Sequence, residues 1–94
     1  MTTLVITHAV ADYDAWKHVF DEHAASRKEH GCAAEELFRD PDQPGTVMNL
    51  MRYPSLEAAQ AFLADPSLRE AMGRAGVVGQ PRIEFWDSIQ AVDF

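Results

Sequence analysis

A single cysteine, Cys32, is all the chain carries, so no internal disulfide can form and no paired-thiolate metal site can be built. Standing at the start of a predicted strand, it reads as a small buried residue with no catalytic part. Basic residues are the next shortage. Eight Lys and Arg stand against fifteen Asp and Glu, for a net charge of −7 and a pI near 4.8. Nucleic-acid binders neutralise phosphates with clustered cations, so nucleic acid is excluded as a partner, and anionic membranes are disfavoured by the same argument. No apolar run approaches the roughly 20 residues of a bilayer span, and the N-terminus lacks the basic and apolar regions of a secretory signal, so a cytoplasmic protein without a membrane partner is expected. Walker loop, dinucleotide fingerprint and nucleophile elbow are also missing. The run G-R-A-G-V-V-G from Gly73 follows a predicted helix and does not open one, which excludes phosphoryl transfer and nucleotide-dependent redox chemistry.

What the chain does have is an ordinary globular composition, 47% hydrophobic and 24% charged, so folding needs no metal or disulfide. Ninety-four residues predict one domain, 1–94, with a small core. The most strongly patterned stretch is Asp12 to His30. At about 100° per residue it stacks Tyr13, Trp16, Phe20 and Ala24 on one side of a helix and spreads Asp14, His18, Asp21, Glu22 and Lys28 over the other. Asp12 is a good N-cap and Gly31 suits the far end.

Around that helix the other elements follow. Thr2 to Ala11 is rich in β-branched residues and predicts a strand with two largely apolar faces. Cys32–Asp40 and Thr46–Tyr53 predict a hairpin about the turn Pro41–Gly45. Ser55 caps a second helix that Asp65-Pro66 restarts, reaching about Met72. Glycines 73, 76 and 79 with Pro81 predict a loop, and Arg82–Ile89 a last strand. The order β-α-β-β-α-β predicts an α+β, ferredoxin-like fold with an antiparallel four-stranded sheet and both helices on one face. The other face is apolar enough to need cover, and a homodimer supplies it most simply.

With these elements placed, the chain resembles the dimeric α/β-barrel proteins that include the antibiotic-biosynthesis monooxygenases. The matching features are D-Y-D-A-W-K-x-x-F from Asp12, the G-C pair Gly31-Cys32, F-R-D-P-D-Q-P-G from Phe38, Y-P-S-L-E-A-A-Q-A-F-L from Tyr53, and L-R-E-A-M-G-R-A-G-V-V-G-Q-P from Leu68. The resemblance covers nearly the whole chain. It implies a two-chain dimeric α/β barrel with a cavity between each sheet and its helices, hosting cofactor-independent oxygenases of polycyclic phenols, haem-degrading enzymes, isomerases or polyketide cyclases, and proteins of no known activity. Fold does not choose among these. The haem branch's tryptophan falls at Tyr53 and its ligating histidine at Met72, which weakens that branch. The phenol oxygenases' Asn, Trp, Tyr and Arg have possible analogues in Asn49, Trp86 or Trp16, Tyr53, and Arg39 or Arg52.

The candidate chemistry centres on His8. Mid-strand among Leu4, Ile6 and Val10, its imidazole is desolvated and stays neutral, fit either to take a phenolic proton or to sit as a hydrogen-bonded core histidine. Asn49 and Tyr53 share one parity of their strand and are read as orienters of a substrate oxygen, with a rim aromatic as the other reading of Tyr53. Trp16, Phe20, His23 and Trp86 are read as ligand-binding residues, although His23 stands at the edge of the helix stripe, where a half-buried boundary histidine is the commoner case. Asp14, His18 and Glu22 are spaced to hold a zinc ion, but a solvated helix shows such rows without one, and no metal is assigned. The reading is a homodimer that binds a small hydrophobic or aromatic ligand, with no cofactor, and that acts as a cofactor-independent monooxygenase. A non-catalytic ligand- or protein-binding dimer and a cyclase or isomerase stay open beside it.

Overall fold

The computed structural model describes residues 1–94. Its elements are β1 (Thr2–Val10), α1 (Tyr13–Glu22), α2 (Ala24–Glu29), β2 (Ala34–Arg39), β3 (Thr46–Tyr53), α3 (Leu56–Ala64), α4 (Pro66–Ala75) and β4 (Val77–Asp87). The four strands form one antiparallel sheet in the order β2-β3-β1-β4, which is the expected ferredoxin-like α+β fold.

Capping decides where the helices begin. The Asp12 carboxylate accepts from the Ala15 N–H at 3.2 Å, the Ser55 hydroxyl from Ala58 N–H at 3.1 Å, and the Asp65 carboxylate from Ser67 N–H at 2.9 Å. Each satisfies a donor that the first helical turn leaves without a backbone partner. Asp65 is also tied to the other helix pair: the His30 Nε2 lies 2.9 Å from it and the Ser26 hydroxyl donates to it at 3.4 Å. The hydrogen bond with His30, followed by those from Ser67, holds the Asp65 carboxyl well below the usual carboxylate range. A depressed carboxylate pKa stabilises the fold above the ordinary 3.8 and loses that contribution as pH falls through the folded value. Asp65→Asn is therefore expected to flatten the stability loss below pH 4, read from urea midpoints between pH 5 and 2. Parallel curves for the two proteins would count against the tie.

Strand β2 starts at Ala34, two residues after the expected Cys32, and β4 ends at Asp87, two before the expected Ile89; two departures are larger. The single helix over Asp12–His30 is broken at His23, whose N–H is shared between the carbonyls of Val19 and Phe20 at 3.1 and 3.2 Å, and no Gly or Pro marks the break. The loop expected over residues 73–81 does not exist as such. Helix α4 continues through Gly73 to Ala75, Gly76 ends it in the left-handed conformation at φ 77°, and β4 starts at once. The remaining irregularity is a bulge: Thr7 pairs with Arg82 but Ala9 with Val78, so four residues of β4 span two of β1.

Sheet parity then sets the two faces. Leu4, Ile6 and His8 on β1 stand opposite Met51, Asn49 and Val47 on β3, on the face that carries the helices. Leu4, Ile6, Met51, Tyr53, Ala59 and Phe62 form one buried cluster there, and Val10, Trp16, Val47 and Ala75 a second. The helix-free face holds Val5, Met48, Leu50, Phe38 and Trp86 among charged neighbours.

Candidate functional site

A pocket opens between the two clusters, with β1 and β3 as its floor and α1, α2, α3 and α4 around it. The floor gives Ile6, His8, Asn49 and Met51; α1 gives Trp16, Val19 and Phe20, with His23 beyond its end; α4 gives Leu68, Ala71, Met72 and Ala75; Arg27 and Phe62 complete the wall. The lining is mainly apolar, which makes its few polar atoms informative. Both ring nitrogens of His8 and the Oδ1 of Asn49 are buried and have no hydrogen-bond partner in the protein. A buried polar atom left without a partner costs roughly 1–3 kcal/mol, so three in one small pocket need partners that the protein itself does not supply, water molecules or the polar groups of a ligand.

The chemistry of that set follows from its surroundings. Burial holds the His8 imidazole below its ordinary 6.5, so it is neutral at pH 7 and presents one N–H and one lone pair. The Trp16 ring packs on it, centroids 5.5 Å apart and tilted by 56°. Asn49 Oδ1 can only accept, so its natural complement is a ligand hydroxyl or N–H. At the mouth, His23 Nε2 lies 3.0 Å from the Ser67 hydroxyl. Burial, and then the nearby Arg27 charge, lower the His23 pKa. Glu22 on α1 and Arg74 on α4 lie 3.6 Å apart, a second tie between the same helices.

The pocket, open on one side, has a volume of about 50 Å³. That volume holds a few water molecules, and ligand sites typically span roughly 300–1,000 Å³. The partly exposed side chains Val19, Phe20 and His23 on one side and Leu68 and Met72 on the other mark the way in.

Of the seven residues the sequence singled out, five meet here: His8, Asn49, Trp16, Phe20 and His23. Tyr53 shares the face but not the pocket. Phe62 stacks on its ring at 5.8 Å, the ring is fully buried, and its hydroxyl faces two sulfurs, that of Met51 at 3.8 Å and that of Cys32. Burial pushes the Tyr53 phenol well above its ordinary value, so it is a neutral core residue at any working pH. Trp86 pairs with Thr3 and so lies on the helix-free face, 58% exposed and away from the pocket. His18 pairs with Glu22 at 2.8 Å on the solvent side of α1. Tyr53→Phe is expected to change turnover less than threefold and stability by under about 1 kcal/mol, since it removes one weakly bonded hydroxyl. A larger loss of turnover with unchanged stability would return Tyr53 to the site.

The antibiotic biosynthesis monooxygenase profile matches residues 7–74, a span that runs from the His8 strand to the pocket-facing helix α4. The chain belongs to the antibiotic biosynthesis monooxygenase family. Among solved structures it is similar to SnoaB, a cofactor-independent oxygenase from Streptomyces nogalater, at 18% identity over 97% of this chain and 95% of that one, with a TM-score of 0.81. A candidate antibiotic biosynthesis monooxygenase from Caulobacter crescentus is similar at 25% identity over 95% and 90%, with a TM-score of 0.78, and one from Deinococcus radiodurans at 21% over 100% and 98%, with 0.73. At such identities the likeness is one of fold. No curated protein matches the chain.

Within the pocket of this family member, Arg27 is a residue that sequence patterning does not single out. It hides in the polar run S-R-K-E, yet seven residues after Phe20 it continues the Trp16–Phe20 stripe, and that spacing was the available signal. Leu68 and Met72, which the sequence marks only as part of the second helix and its end, line the pocket as well.

Proposed function

We propose that the chain oxygenates a small hydroxylated aromatic molecule in this pocket without a bound cofactor, with His8 as base and Asn49 as the group that orients the substrate oxygen. The observation that carries the reading is the unpartnered set of His8 Nδ1, His8 Nε2 and Asn49 Oδ1 in an otherwise apolar pocket. Family membership and the likeness to a cofactor-independent oxygenase support it.

Taking an anthrone as the example, His8 accepts a proton from the activated CH₂ group or its enol hydroxyl, and the resulting carbanion reduces dioxygen. The carbon–oxygen bond forms as a peroxide, which takes up the proton and loses water to leave a carbonyl. One oxygen atom stays in the product and one leaves as water, and all four electrons come from the substrate. Apolar walls keep bulk water from the carbanion. Seating three fused rings requires α1 and α4 to part, because a pocket of about 50 Å³ is too small.

That small volume favours a second reading, a dimer that binds a ligand or protein and catalyses nothing. An oxygen electrode separates the two. Uptake of one dioxygen per anthrone consumed supports the enzyme; silence toward anthrones and quinols, while 1-naphthol still binds, leaves the non-catalytic protein. Turnover without oxygen would indicate a cyclase or isomerase instead.

Either reading includes a homodimer, with a second copy covering the helix-free face of Val5, Met48, Leu50, Phe38 and Trp86. Sedimentation equilibrium is expected to give twice the chain mass at micromolar concentration, and Trp86→Glu to shift it toward monomer. A stable monomer for the unaltered protein would contradict this.

A further inference from the structure

We infer that Arg27 is a positioning residue for His8, acting through the stacked rings of Phe20 and Trp16; the inference rests on the role of His8 proposed above. The observation behind it is a continuous column of planar groups. Glu35 on β2 accepts from Arg27 Nε at 2.6 Å and from Nη2 at 3.2 Å. The guanidinium lies over the Phe20 ring at 3.7 Å. Phe20 stacks on Trp16 with centroids 5.0 Å apart and planes 23° apart, and Trp16 meets His8 at 5.5 Å.

A catalytic imidazole is ordinarily aimed by a hydrogen bond from one ring nitrogen to a carboxylate or carbonyl, which fixes both the ring plane and the tautomer. His8 has no such bond on either nitrogen. What holds its plane is packing, and the aromatic group packed on it is Trp16. The other end of the column must therefore be fixed, and Arg27 does this in two ways. Its Nη1 donates to the Phe20 carbonyl at 2.9 Å, which at the end of α1 also accepts the His23 N–H. Its Nε and Nη2 grip Glu35, so the end of α1 is tied to the sheet edge and cannot slide along it.

The position is built for a guanidinium. Arg27 is only 4% exposed, and three of its N–H groups work at once in the plane of a fork that also stacks on a ring. Lysine keeps the charge but supplies neither the fork nor the flat face. A cation this deeply placed is a poor way to gain stability alone, since the attraction to its partner is largely spent on desolvation. Holding a ring column in register accounts for it better.

The test reads His8 directly, without substrate, so it stands apart from the oxygenation assay. In ¹³C/¹⁵N-labelled protein the His8 Hδ2 and Hε1 resonances carry the ring-current displacement set by Trp16. Arg27→Met, which keeps the stem and loses the fork, is expected to move them toward ordinary imidazole positions, and Arg27→Lys to move them part of the way. Ser55→Ala, a lost helix cap remote from the column, is expected to leave them in place. Where turnover is measurable, Arg27→Met lowers kcat by up to about a hundredfold with KM within twofold, as misplacement of a base by about 1 Å does. Unmoved His8 resonances in folded Arg27→Met overturn the inference. So do equal movements in Arg27→Met and Ser55→Ala, which would mean general loosening. Should Arg27→Met fail to fold, Arg27→Lys carries the same comparison, and unmoved resonances there overturn it as well.

Discussion

His8→Leu is expected to lower oxygen uptake with an anthrone by about 10²- to 10⁴-fold while making the protein more stable. The first effect is the loss of a general base, and the range is that of such groups. The second follows from the two imidazole nitrogens that no protein group satisfies. Replacing unsatisfied polar atoms by an apolar side chain of similar size removes a desolvation cost of roughly 1–3 kcal/mol. Opposite signs in activity and stability mark a residue kept for chemistry, and a core histidine would lose stability instead. The pH dependence has a worked sign. Because burial lowers the folded pKa below 6.5, the fold favours neutral imidazole, so stability falls as pH drops from the ordinary value through the folded one. Activity should be full above pH 6.5 and fall on the acid side along the same titration. His8→Leu should remove that part of the stability slope.

Phe62→Ala is expected to cost about 3–5 kcal/mol, a large share of the roughly 5–15 kcal/mol that holds a domain of this size folded. Phe62 is 1% exposed and is the hub of the larger cluster, with the rings of Tyr53, His23 and His30 all within 6.2 Å. It also stands in the pocket wall, so the cavity left behind joins the pocket and is not refilled by collapse. Urea denaturation at pH 7 measures the loss. Phe62→Leu, which keeps most of the volume, should cost under about 1.5 kcal/mol. A loss below 1 kcal/mol for the alanine variant would mean that the core is organised elsewhere.

Sequence patterning carries most of this fold because its punctuation is local. β3 runs over Thr46–Tyr53 as expected, since a Pro-Gly turn precedes it and Pro54 ends it. The break at His23 has no such mark; Arg27 reaches back to the Phe20 carbonyl there, a contact that local propensity does not contain. The start of β4 was hidden by its glycines. Gly76 is a helix stop, as its type suggests, but Gly79 sits at a bulge inside the strand at φ 72°, where a turn residue and a strand residue look alike in sequence. Parity along β3 placed Asn49 and Tyr53 on one face, and the structure has them there. Parity could not show that Phe62 seals Tyr53 off, nor which face Trp86 occupies, because β4 reads as apolar on both sides.

The unpartnered atoms of His8 and Asn49 are proposed as the site of a hydroxylated aromatic ligand. An NMR titration of the labelled protein with 1-naphthol, after a pH series on the free protein, tests it most directly. The His8 ring is expected to titrate below pH 6.5, and naphthol to move the His8 ring and Asn49 side-chain resonances ahead of all others. A His8 that titrates at or above 6.5, or a naphthol response confined to Trp86 and Phe38 on the helix-free face, would contradict it.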